Sequence, residues 1–178
     1  MIKPLYRFLH PKFQNLFLEY KVDFKPRYGY GKPPHPELYK IIDANRNNYK
    51  NLINKALSLK EIIWTIKNNK DESDPVKPTW NNGFLPGLDI IGIYTLLSTL
   101  KPKKYIEIGS GNSTKVAYKA KTEQNLDTEI ISIDPKPRAV IDSLVNKVIR
   151  EPFENIDFDI LNHYCPRKNY AYKRNPCY

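Results

Sequence analysis

With 178 residues the chain is long enough to bury one core, and its 29 Lys and Arg against 19 Asp and Glu leave a formal net charge of +10. The basic residues are scattered, with no Arg-Gly repeat or basic helix, so the charge reads as a solvated surface and no specific nucleic-acid motif emerges. Two cysteines in the last fourteen residues, Cys165 and Cys177, match neither a zinc spacing nor a disulfide scaffold; no run reaches the roughly 18 apolar residues of a membrane span and no signal peptide opens the chain, which together imply a cytoplasmic protein.

Over residues 1–36, Pro26, Pro33, Pro34 and Pro36 with Gly29 and Gly31 interrupt regular structure, so one short helix around Leu5 to Tyr20 and an extended arm are expected. From Glu37 the pattern changes. Leu38, Ile42, Asn45, Tyr49, Leu52, Ala56, Leu59, Ile63 and Ile66 alternate at spacings of four and three, the stripe of one amphipathic helix of about eight turns. The same spacing fits a coiled-coil seam, but Asn45, Tyr49 and Ala56 make a weak one, which favours packing on the rest of the domain. Asp71, Glu72, Asp74, Pro75 and Pro78 make a charged loop, and Trp80 to Pro86 is a turn-rich aromatic segment.

A helix is expected from Leu88 to Leu100, stopped by Pro102. A first strand, Lys104 to Ile108, then leads through glycines to a helix over Ser113 to Gln124. A second strand, Glu129 to Ile133, ends in Asp134; a short helix over Ala139 to Leu144 and a third strand, Lys147 to Arg150, follow. Residues 158–161 lie too close to that strand for another parallel crossover and read as a short helix or loop. The basic tail from His163 to Tyr178 reads as peripheral.

The most informative stretch is Tyr105-Ile106-Glu107-Ile108-Gly109-Ser110-Gly111-Asn112-Ser113-Thr114. Strand, glycine turn, helix, strand and terminal acid are the first half of a nucleotide-binding α/β fold. Glycines let a ligand approach the backbone, the helix start presents N–H groups, and an acid at the second strand's tip can accept ribose hydroxyls. A dinucleotide loop wants a third glycine where Thr114 stands. An acid before the loop, Glu107, reads as an anion aimed at the site, which disfavours a pyrophosphate and suits a ligand with an ammonium or sulfonium group. Together with Trp80-Asn81 and the run Gly83-Phe84-Leu85-Pro86-Gly87-Leu88-Asp89, the region from Trp80 to Asp157 resembles the class I S-adenosylmethionine-dependent methyltransferases, specifically one uncharacterised subgroup.

The resemblance implies an α/β fold with a partial Rossmann-like parallel sheet behind an N-terminal helical region. The implied organisation is an arm and long helix over 1–79, a partial S-adenosylmethionine-binding domain over 80–157 and an irregular basic tail over 158–178. It implies S-adenosylmethionine as cofactor and Glu107, Gly109, Ser110, Gly111, Asn112, Ser113 and Asp134 as its binding residues. Glu107 would hold the loop or the ligand's amino group. Gly109 and Gly111 would lie under the methionine and ribose portions, and Asp134 would take the ribose hydroxyls. Each has a plainer reading as well: Glu107 tying down its own loop, Asp134 capping the turn before Pro135, Ser113 and Thr114 capping the helix. Trp80 and Asn81 line the cofactor's mouth or simply pack. Glu151 reads as exposed, and His10, His35 and His163 are poor candidates for a base.

The resemblance also implies a seven-stranded sheet, whereas the sequence from Tyr105 onward holds about three strands. The expectation is therefore a methyltransferase cut off after its third strand, weak or inactive alone, with an open sheet edge prone to self-association. Its acceptor substrate is not legible. The alternative is a non-catalytic binding or interaction protein using a remnant nucleotide fold and a basic surface; a nicotinamide dehydrogenase ranks third because of Thr114 and Glu107.

Overall fold

A computed structural model of the chain describes residues 2–23 and 25–157. The chain forms two compact units, divided after Arg46. The tail, with Cys165, Cys177 and His163, lies outside the described residues, as does the segment expected at 158–161.

In the first unit, α1 spans Ile2–Leu9 and α2 spans Pro36–Ala44. The expected N-terminal helix is thus earlier and shorter, and Pro11 follows its end. His35 is the N-cap of α2, its Nδ1 accepting the Leu38 amide at 3.4 Å, and Pro36 occupies the first helical position. His10 Nδ1 accepts the Lys12 amide at 3.1 Å. Both histidines therefore serve local backbone structure.

The eight-turn helix expected from Glu37 to Ile66 is three helices: α2, α3 (Arg46–Ser58) and α4 (Lys60–Ile63). Asn45 makes the first break. Its backbone N–H bonds the Ile42 carbonyl and its side-chain amide takes the Ile41 carbonyl at 3.3 Å, so the side chain competes with the helix it follows. At the second break the Leu59 amide turns back to Ala56 at 3.0 Å. The apolar stripe divides accordingly. Leu38, Ile42 and Tyr49 are exposed, while Leu59, Ile63 and Ile66 are buried in the core of the second unit. Within the second unit Leu52 and Ala56 of the same stripe are half-buried.

The second unit carries the sheet. Helix α5 (Gly87–Leu100) ends at Lys101, which adopts a left-handed φ of 44° before Pro102. Strand β1 (Lys104–Ile108), helix α6 (Asn112–Glu123), strand β2 (Glu129–Ile133) and strand β3 (Lys147–Ile149) follow. These boundaries lie within one residue of those read from the sequence. The strands are parallel in the order β1-β2-β3. Between β2 and β3 the expected helix over Ala139–Leu144 is only a 3-10 turn, Asp142–Leu144. The first part of the connection is bent at residues 135–136 and 138–139, where Pro135 and Pro137 lack the N–H a helix would use.

Register places Tyr105 beside Ile130 and Glu107 beside Ser132, so these four share one face. On that face Ile130 and Tyr105 meet Ile90, Tyr94 and Leu97 of α5 and Val116, Ala117 and Ala120 of α6. Ile131 and Ile133, also buried, belong to the opposite face. No helix among the described residues is long and apolar enough to cross a membrane.

Candidate functional site

Each of the first two strands extends its ladder by one bond beyond its end. The Gly109 amide donates to the Ile133 carbonyl and the Asp134 amide to the Ile149 carbonyl, both at 3.0 Å. Gly109 and Asp134 therefore stand side by side at the carboxyl ends of β1 and β2, where open parallel sheets bind ligands. Gly109 has φ +77°, a conformation that L side chains rarely adopt. It turns the chain sharply into α6.

Two carboxylates fasten this turn from different sides. Asp134 Oδ2 accepts the Ser110 amide at 2.7 Å and the Ser110 hydroxyl at 3.2 Å, and Oδ1 accepts the Lys136 amide at 2.8 Å. Burial lifts the Asp134 carboxyl, but those bonds and the field of Arg150 outweigh it and hold the group below its usual value. Glu107 accepts from Thr114 Oγ1 at 2.5 Å and from Ser113 Oγ. Burial pushes its carboxyl above the ordinary value; the two hydroxyls pull it back, and the nearby charge of Asp134 adds to the rise. Thr114, fully buried, closes the cap by accepting the Gly111 amide at 3.0 Å.

A cavity of about 860 Å³ opens over this turn. Gly109, Ser110, Gly111, Asn112, Ser113 and Asp134 all line it. Glu107 does not. Its oxygens are turned onto α6, so it holds the loop, and the expectation of an anion aimed at the ligand is not met by this geometry. Thr114 still argues against a dinucleotide, because its buried side chain fills the helix–strand contact where a third glycine would sit.

Phe84, from the run that carries the resemblance, lines the cavity too, and other lining residues were not singled out from the sequence: Asn69, Asn82, Lys115, Lys136 and Arg138. Asn82 organises its flank. Its side-chain amide donates to the Thr79 carbonyl at 2.8 Å and the Leu85 carbonyl at 3.3 Å, and Oδ1 accepts the Phe84 and Leu85 amides at 2.9 and 2.7 Å. An Asn followed by Gly within a proline-bounded turn was the available signal. Trp80 and Asn81 are not in the lining. Trp80 forms a parallel bridge with Asn68 and packs against the core, and Asn81 bonds Asn68 Oδ1 at 3.1 Å. Glu151 is exposed.

No family model, curated protein or solved structure matches this chain.

Proposed function

We propose that the cavity binds S-adenosylmethionine and that the chain is a methyltransferase working in the cytoplasm. The observation that carries this reading is Asp134 at the tip of β2, beside a glycine turn that leaves β1 and opens α6 at the same cavity. The residues fit a nucleoside ligand on three counts. Asp134 Oδ1 has one partner and room for another. A Cβ at Gly111 would meet nothing within 4 Å, so the space above it is open. The volume also lies toward the upper end of the roughly 300–1,000 Å³ of small-molecule sites.

In this reading Asp134 accepts the ribose hydroxyls, the opening of α6 over Asn112 and Ser113 faces the methionine carboxylate with its partial positive charge, and Gly111 lets the ligand lie against the backbone. Bound there, the cofactor would supply an electrophilic methyl on a sulfonium to an acceptor's lone pair. The chain's own contribution is positioning and exclusion of water.

A second reading, a nucleoside-binding protein without turnover, is favoured by one feature. Among the described residues Asp134 is the only carboxylate in the lining, and no histidine joins it. A methyl-transfer assay with labelled cofactor against broad acceptor pools separates the two. Turnover supports the first, cofactor binding without turnover supports the second, and no cofactor binding sinks both.

A further inference from the structure

The cavity lining holds three cationic side chains, Lys115, Lys136 and Arg138, against one carboxylate, Asp134. Part of this charge is balanced locally. Lys115 is under the influence of Asp74, and Asp134 already receives two amides, a hydroxyl and the field of Arg150. Arg150 in turn pairs with Asp142. Lys136 and Arg138 are different. Both are exposed on the connection after β2, and among the described residues neither forms an ion pair. The Arg138 guanidinium lies 5.8 Å from the centroid of the Phe84 ring, so it reaches across to the segment on the cavity's other flank.

This imbalance is unfavourable for the proposed cofactor alone. With an ammonium, a sulfonium and a carboxylate, S-adenosylmethionine carries a net positive charge at neutral pH. Two unpaired cations beside it raise its binding free energy unless an anion enters with it.

We propose that Lys136 and Arg138 recognise an oxyanion on the methyl acceptor, making the substrate a small molecule that bears a phosphate or a carboxylate. This rests on the cofactor reading above. Arg138 offers a planar fork to such a group and Lys136 a mobile point charge. The acceptor and the cofactor then bind with positive coupling, because each supplies charge that the other's surroundings lack.

Calorimetry with S-adenosylmethionine itself, which keeps the sulfonium charge, in buffer alone and with inorganic pyrophosphate or succinate, tests this. The expected result is cofactor binding tightened about five- to tenfold by one of the two anions, which also tells phosphate from carboxylate. In the double variant Lys136→Ser, Arg138→Ser the tightening should fall below about twofold, while affinity in buffer alone is unchanged or improved. A second double variant, Lys50→Ser, Lys55→Ser, removes two exposed cations outside the cavity and should keep the full anion effect, excluding a response to overall charge. Cofactor binding with no anion effect in the parent, or with an equal effect in both double variants, overturns the anion site and leaves the cofactor reading standing. Pyrophosphate binding lost only in the Lys136, Arg138 variant, with no cofactor binding at all, overturns the cofactor reading and supports the anion site.

Discussion

Ser110 and Asp134 fasten the glycine turn after β1 to the tip of β2, through an amide donated at 2.7 Å and a hydroxyl donated at 3.2 Å to the same carboxylate oxygen. One side chain thus has two duties, holding the turn and facing the cavity. Asp134→Asn keeps an acceptor oxygen for the turn and loses the charge; Asp134→Ala loses both. Product affinity should fall by about 1–3 kcal/mol in Ala and by less in Asn. Calorimetry on the two variants checks the order, and equal affinity in all three proteins contradicts it.

Gly109 and Gly111 should fail for different reasons. Gly109 needs its positive φ, so Gly109→Ala should lower unfolding free energy by about 1–2 kcal/mol. Gly111 has an extended φ of 169° and open space around it, so Gly111→Ala should stay within about 0.5 kcal/mol of the parent in denaturant titrations. Its added methyl enters the cavity, and product affinity should drop at least about tenfold. A stable Gly109→Ala, or full binding by Gly111→Ala, opposes this assignment.

Glu107 and Asp134 act oppositely on the pH dependence of stability. Asp134 is held low in the folded state, so its contribution is present above the ordinary carboxyl value near 3.9 and is lost as pH falls through its lower folded value. Glu107 is pushed up by burial, so the unfolded chain releases that proton first and folding loses stability as pH rises from about 4.3. Glu107→Gln should therefore become less destabilising relative to the parent between about pH 4 and 7. Urea titrations across that range read the difference, and a constant difference would show that Glu107 is not strained by burial.

The Tyr94 hydroxyl, bonded to Glu123 at 2.9 Å and to Gln124 at 3.1 Å, ties α5 to the end of α6. Burial is the main cause that pushes its phenol up to about 12. Ultraviolet titration should show two tyrosines ionising well above the ordinary value near 10, Tyr94 and Tyr105, the latter raised by burial and then by the charge of Glu107. As Tyr94 ionises, stability should fall while pH rises from about 10 to about 12. Tyr94→Phe should remove the earlier of these two late ionisations and cost about 1 kcal/mol. An unchanged titration curve would contradict the assignment of a late phenol to Tyr94.

The three strands and the helices beside them were legible because periodicity and breakers agree there: Pro102 after α5, glycines after β1, Pro135 after β2. Six of the seven candidate site residues line one cavity for the same reason, since the motif fixes where they fall. The helix from Glu37 to Ile66 was misread because its stripe continues through Asn45 and Leu59, where capping bonds override periodicity. For Glu107 the sequence left open whether it holds the loop or the ligand, because it shows an acid before the turn but not that Ser113 and Thr114 donate to its oxygens. Lys136 and Arg138 were invisible among many basic residues, and only the cavity separates them from the rest.

The central claim is that the turn after β1 and Asp134 form one nucleoside site for an S-adenosyl ligand. Calorimetric titration of the purified chain with S-adenosylhomocysteine, alongside a nicotinamide dinucleotide, tests it most directly. The account predicts saturable one-site binding of S-adenosylhomocysteine that Asp134→Ala weakens, with the dinucleotide weaker by at least about tenfold because Thr114 blocks its loop. Tight dinucleotide binding with no response to S-adenosylhomocysteine would contradict it.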